Sequence, residues 1–243
     1  MSIETLDSTS HDNSFEGIQG LSWLPWVGLK YSTLPAQERL LIIGESHYAN
    51  ENEASANHEK IGELMKNSRY TREIVGGALV KLENWTTPTL TNLHLLLHAH
   101  KPVDRKVFWS NACFYNFVQR PMDYTRRERP GRKDFVDGWK VFTELSRVLR
   151  PSHCLFIGVG ASNVFNPAAK QMGIDFEPAL WTEMVSGTWG RKAALGTNGN
   201  RIEMTFIQHA GAPRFSWCKW HDYLNRDRAE LMAVVNRAAS PAI

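Results

Sequence analysis

Four short apolar runs, each followed by glycine or by small and polar residues, constrain this chain most. Arg39-Leu-Leu-Ile-Ile-Gly44, Lys106-Val-Phe-Trp-Ser110, His153-Cys-Leu-Phe-Ile-Gly158 and Ile202-Glu-Met-Thr-Phe-Ile207 read as strands buried on both faces of a parallel sheet. Between the second and third, Phe135, Trp139, Phe142, Leu145, Val148 and Leu149 recur at helical spacing until Arg150-Pro151 ends the pattern. Leu79–Leu97 and Asp222–Ala238 also read as helices, while Thr188–Leu195, Thr197-Asn-Gly-Asn200 and Arg201–Gln208 read as strand, turn and strand. Strands alternating with helices imply an α/β sandwich. In open sheets of this kind ligands settle beyond the carboxyl ends of the strands, so Glu45–Tyr48, Asn111, Gly160–Asn163 and His209–Pro213 are expected to converge there.

With 243 residues, 42% hydrophobic and 22% charged, the chain can build an ordinary globular core without disulfides or a structural metal. Residues 1–20 are largely polar and are expected to form a flexible N-terminal arm, with 21–243 as a single domain. No apolar run approaches the ~20 residues of a membrane helix, and Met1–Asn13 lacks a signal core, so a cytoplasmic protein with no membrane partner is expected. Cys113, Cys154 and Cys218 have no CxxC spacing and read as reduced thiols. His94, His98 and His100 could share a helix, but no carboxylate or cysteine accompanies them, and no metal or other cofactor is expected. The formal charge of +3 only weakly favours an anionic partner.

Order along the chain adds a resemblance. Leu41-Ile-Ile-Gly44-Glu-Ser-His-Tyr48, Phe108-Trp-Ser-Asn111 with Gln119-Arg-Pro121, Leu149-Arg-Pro through Gly158-Val-Gly-Ala-Ser-Asn163, and Phe206-Ile-Gln-His209-Ala-Gly-Ala-Pro213 follow one another at about the separations of motifs in the uracil-DNA glycosylase superfamily. The similarity spans most of residues 39–213. It is mixed in the first motif, where Ser46 stands in place of one branch's water-activating aspartate and His47 replaces proline, and in the last, where Ala210-Gly211 replaces Pro-Ser. The implied fold is a three-layer α/β/α sandwich around a central, mostly parallel four-stranded sheet.

The resemblance implies a monomeric enzyme that flips a uracil or modified pyrimidine out of DNA and hydrolyses its N-glycosidic bond, in repair or in defence against phage DNA with modified cytosines. Asn111 would read the pyrimidine edge with its amide, His209 would stabilise the departing base, and Glu45 would orient water or stabilise the sugar cation. Gly44, Ser46, His47 and Tyr48 would line the pocket, with Tyr48 against the pyrimidine C5 edge. Arg120, Arg126, Arg127, Arg129, Arg132 and Lys133 form a basic segment suited to phosphates, and Arg214, Phe215 and Trp217 are candidate wedges into the minor groove. Tyr70, Trp85 and Tyr124 are candidates for stacking. No lysine falls at a motif position, so no Schiff base and no strand cleavage are expected.

Two other readings compete. Ser46 can be taken as a nucleophile with His209 or His221 as base and Asp222 as its orienter, giving an α/β hydrolase. The same fold could also serve as a catalytically inactive DNA-binding module. The glycosylase reading requires positions 111 and 209 to meet in one cavity.

Overall fold

A computed structural model describes residues 6–49, 57–77, 88–99, 104–123, 128–197 and 199–240. The strands are β1 (Trp26–Val27), β2 (Leu40–Gly44), β3 (Tyr48–Ala49), β4 (Ala112–Asn116), β5 (Met122–Asp123), β6 (His153–Ile157), β7 (Phe176–Val185), β8 (Thr188–Thr197) and β9 (Asn200–Ile207). The helices are α1 (Asp12–Phe15), α2 (Asn57–Lys66), α3 (Tyr70–Ile74), α4 (Pro88–His98), α5 (Arg105–Asn111), α6 (Arg132–Leu149), α7 (Phe165–Gln171), α8 (Trp217–Asp227) and α9 (Ala229–Ala239).

The chain is an α/β protein on a seven-stranded mixed sheet of order β1-β4-β2-β6-β9-β8-β7, rather than the four-stranded sheet expected. Its middle, β4-β2-β6-β9, is parallel; β1 on one side and the β8–β7 hairpin on the other are antiparallel. Successive side chains of a strand point to opposite faces. Leu41 and Ile43 of β2 accordingly join Trp139, Phe142 and Leu145 of α6 in one core, whereas Leu40 and Ile42 join Leu93 of α4, Trp109 of α5 and Leu224 of α8 in a second. Both faces of each central strand are thereby buried, which is why these runs are apolar without alternation.

Two expectations fail here. Lys106–Ser110 is helical, not a strand: Asp104 caps α5, its carboxylate accepting from the backbone N–H of Lys106 (2.9 Å) and Val107 (3.2 Å), and the strand begins only at Ala112. The described part of the expected arm is not loose. Leu6, Phe15 and Ile18 are buried in the two cores, Asp7 bridges to Gly28, and Arg72 binds the carboxylates of Asp7 (3.4 Å) and Asp12 (2.6 Å). Residues 6–20 therefore belong to the packed body. Among the described residues no helix is long and apolar enough to cross a membrane.

Candidate active site

Residues immediately beyond the parallel strands meet at one end of the sheet. The chain passes from β2 to β4 on one side of it and then to β6 on the other, so the connections diverge between β2 and β6, where open α/β sheets place their crevice. Glu45 leaves β2 at this point, and Gly158 leaves β6. The two are in contact: a Cβ added to Gly158 would meet Glu45 Oε2 at 2.8 Å, and Gly158 holds φ +138°, a conformation that side chains resist. Gly158 N–H donates to Ile207 O (3.0 Å), which brings the end of β9, and with it His209, alongside.

Asn111 is not part of this end, so positions 111 and 209 do not meet in one cavity as the glycosylase reading with Asn111 required. Asn111 closes α5 at the start of β4, where its amide donates to Val107 O (3.1 Å) and Ala238 O (3.0 Å) and joins α5 to α9. Position 116 occupies the carboxyl end instead. Asn116 pairs in register with Gly44, and its Oδ1 lies 1.9 Å from where a Cβ on Gly44 would stand. Any side chain at Gly44 would displace the amide. Asn116 is only 5% exposed, yet its side chain has no hydrogen-bond partner among the described residues. Neither of its amide atoms is among the fully enclosed polar atoms that lack a partner, so the amide reaches solvent at the strand end and is open to an incoming group.

His209 follows β9 on a loop held in place by Asn92 Nδ2, which donates to Ala210 O (2.7 Å), and by a turn from Ala212 N–H to His209 O (2.9 Å). Gly211 N–H donates to His209 Nδ1 (3.1 Å). Since Nδ1 accepts, the neutral ring carries its proton on Nε2. Burial, helped by the charge of Arg129, pulls the imidazole down to about 4, so the ring stays neutral and donates from Nε2. Burial raises the Glu45 carboxyl, and Arg129 opposes that rise. Arg129 thus acts on both groups through its charge, and its Nη1 donates to Tyr48 Oη (3.2 Å). A void of about 10 Å³ beside Gly44, Glu45 and Gly158, floored by Phe117, Phe135 and Phe156, has room for one water rather than a base. A cleft of about 750 Å³ along the outer side of α6 includes none of these groups and is lined by oppositely charged residues such as Asp137 and Lys140.

The remaining expectations divide. Tyr48 is half-buried; its hydroxyl donates to Glu128 O (3.2 Å) and so fastens the segment carrying Arg129. His47 is a packing residue, its Nε2 on Thr71 Oγ1 (2.9 Å) and its ring edge-on to Trp23 and Tyr70; burial alone drives it down to about 3. Tyr70 is engaged there rather than at the strand ends. Ser46 Oγ is enclosed without a hydrogen-bond partner, whereas His221 uses Nδ1 on Leu96 O (2.8 Å), so no Ser–His couple is assembled. Phe215 and Trp217 pack against the second core and are not free wedges, while Arg214 is exposed.

In the basic segment, Arg120 is spent on Asp134 (2.7 Å) and Glu128 (2.8 Å), and Lys133 on Asp137 (2.6 Å). Arg129, Arg132 and Arg214 form no ion pair with a carboxylate among the described residues. Arg126, Arg127, Tyr124, Trp85 and His100 lie outside the described residues. His94 Nε2 accepts from Trp109 Nε1 (3.0 Å), and no group of three or more His, Cys, Asp or Glu among the described residues is placed to hold a metal ion. Cys113 and Cys154 are buried and Cys218 is exposed, all as free thiols.

Asn116 and the electrostatic role of Arg129 were missed by sequence reasoning. Asn116 had a usable signal, because it ends Ala112-Cys-Phe-Tyr-Asn116 three residues before Gln119-Arg-Pro121. Compared with models of protein families the chain matches none, and it matches no curated protein.

Proposed function

We propose that this protein is a DNA glycosylase of the uracil-DNA glycosylase type, a three-layer α/β/α sandwich that hydrolyses the N-glycosidic bond of an extruded uracil or modified pyrimidine. One observation carries the reading. An amide with no hydrogen-bond partner among the described residues, a desolvated carboxylate and a neutral imidazole N–H stand at the carboxyl ends of three strands of the same parallel sheet, at Asn116, Glu45 and His209. The amide's paired donor and acceptor suit a pyrimidine carbonyl and its neighbouring N–H or amine.

The chemistry follows from those groups. As the C1′–N bond breaks, its electron pair leaves with the base; His209 Nε2–H donates to the pyrimidine O2 where that charge collects. The sugar becomes cationic beside the Glu45 carboxylate. A water oxygen bonds to C1′ and passes its proton to Glu45, for which a carboxyl raised by burial is a better acceptor than a solvated one. Glu45 then gives up that proton through solvent and the base anion takes one up, so that free base, an abasic sugar and the original carboxylate result. None of the three groups is an amine, so the reaction ends at hydrolysis without strand cleavage. Because a duplex hides this bond, the nucleotide must first leave the stack.

The test is base release. DNAs carrying uracil, hydroxymethylcytosine or glucosylated hydroxymethylcytosine are incubated with the protein, and abasic sites are read as alkali-sensitive breaks. At least one substrate is expected to be cut, and Asn116→Ala or His209→Ala to abolish the breaks. Binding of DNA with every base left attached would instead favour an inactive module.

A further inference from the structure

We infer that the β7–β8 hairpin carries a stacking platform, Trp181 with Trp189 backed by Arg191, that takes unpaired nucleobases of a single-stranded DNA segment. This rests on the proposed function only for its biological setting. The platform itself follows from what the hairpin exposes and from a charge left unmatched beneath it.

Trp181 is 61% exposed, Trp189 37% and Met184 54%, in a protein whose other fully enclosed indoles include Trp23, Trp26, Trp109, Trp139 and Trp220. Register puts them on one face: Trp181 pairs with Arg191, Met184 with Trp189, and the two indoles lie 5.9 Å apart between centroids. The Arg191 guanidinium sits 4.8 Å from the Trp181 centroid, within cation–π range. Arg191 is only 8% exposed. Its Nη1 donates to Val159 O (2.9 Å), Ser162 Oγ (2.6 Å) and Asn163 Oδ1 (2.6 Å), its Nε has no partner, and no carboxylate among the described residues pairs with it. A buried, uncompensated cation under an exposed indole favours an anion with a flat ring, which is the chemistry of a nucleotide.

The location agrees. Trp181, Arg191, Phe206, Phe156 and Ile43 form one register row across β7, β8, β9, β6 and β2, ending one residue short of Gly44. At ~4.8 Å between strands the platform stands about 19 Å from the Glu45 strand and about 10 Å from the His209 strand. The turn that Arg191 holds, Gly160–Val164, begins two residues after Gly158. Strand and site are thus within reach of one short stretch of nucleic acid.

A second copy of the chain fits less well. The two indole exposures add up to about one whole ring, roughly 150–250 Å², against ~800 Å² per partner in a standard interface. Pro178 and two register shifts also blunt the outer edge of β7 against strand addition.

The experiment uses the full chain and a fluorescein-labelled single-stranded oligothymidylate, which holds no excisable base, with its oligo(dA)·oligo(dT) duplex as comparison. Fluorescence anisotropy should show tighter binding to the single strand, weakened about tenfold by Trp181→Ala and by Trp189→Ala, with Trp181→Phe restoring most of it. Duplex binding and melting temperature should change little. Equal single-strand affinity in wild type and both alanine variants overturns the platform, as does a wild-type dimer in sedimentation that these variants split. Absence of base release from uracil, hydroxymethylcytosine and glucosylated hydroxymethylcytosine DNA alike, alongside tryptophan-dependent binding, would remove the glycosylase reading and leave the platform standing.

Discussion

Two buried asparagines bracket β4, and the comparison between them separates structure from function. Asn111 stands before the strand with its amide committed to Val107 O and Ala238 O. Asn116 stands at its far end, about 16 Å along at strand rise, with an amide that bonds to nothing among the described residues and a glycine beneath it that only a hydrogen could replace. Similar residue burial therefore goes with different bonding: one amide holds two helices together, and the other has no partner among the described residues and is the one proposed to meet the base. The largest expected effect breaks this pairing. Asn116→Ala should cost base release about 10²–10³-fold with little change in melting temperature. Asn111→Ala should leave release intact while lowering stability by about 1–3 kcal/mol, because it removes the donor of Ala238 O, whereas Val107 O keeps Ser110 Oγ (2.8 Å). The reverse pattern, read by activity assay and thermal melt, would exchange the two roles.

Gly44 sharpens the same contrast. Gly44→Ala places a Cβ where Asn116 Oδ1 lies, so it should reproduce the activity loss of Asn116→Ala without touching a reacting group. Gly62, which has nothing within 4 Å of an added Cβ, provides the control: Gly62→Ala should leave release unchanged.

The central sheet was legible in the sequence because strands buried on both faces must be continuously apolar, and β2, β6 and β9 fall within a residue or two of where the pattern puts them. The second strand was misplaced because Val107-Phe-Trp109 is as apolar as a strand. Its burial comes from a helix packed under α4 and α9, and apolarity alone does not distinguish the two. The N-cap at Asp104 was the discriminating signal. Reading the strand there put its end at Ser110-Asn111, five positions before the Asn116 that closes β4. The packing of residues 6–20 was illegible for another reason: a few anchors, Leu6, Phe15 and Ile18, and one buried Arg72–Asp7 contact hold a segment whose composition is otherwise that of a loose tail.

His209 and Glu45 extend the comparison to charge. With its ring held down to about 4, His209 should remain a neutral donor throughout the mildly acidic range, so base release should persist as pH falls from 7 to 5. Arg129→Gln removes a positive charge that depresses both groups, so the acid limb of the pH–rate profile should move upward. An unchanged limb would place Arg129 outside the site's field. Stability has its own dependence. His47, about 3, and His209, about 4, bind fewer protons folded than unfolded, so their contribution is lost as pH drops below the ordinary histidine value of about 6.5. Asp7, raised to about 6, binds more protons folded than unfolded and pulls the other way, its contribution fading as pH rises from about 4 to 6. His94, also held down to about 3, and the lowered His11 and His153 act with these two histidines, and Glu45 acts with Asp7. With five histidines opposing two carboxyls, melting temperature should fall from pH 7 to 5, and more steeply in Asp7→Asn.

The smallest effect concerns the arginines, and it reproduces the asparagine contrast in weaker form. Arg120 resembles Asn111 in being committed: Asp134 and Glu128 together hold its guanidinium, and that pairing raises it further above its ordinary value. Arg132 is exposed and makes no ion pair among the described residues. A phosphate must displace two carboxylates to engage Arg120, whereas Arg132 is open to it. Arg120→Gln should therefore leave DNA affinity and its salt dependence nearly unchanged, and cost no more than about 1 kcal/mol in stability as an exposed pair. Arg132→Gln should weaken binding uniformly across sequences and reduce the salt slope by about one. A titration of affinity against salt for the two variants decides between them; a loss confined to Arg120→Gln would mean that its carboxylates yield to DNA.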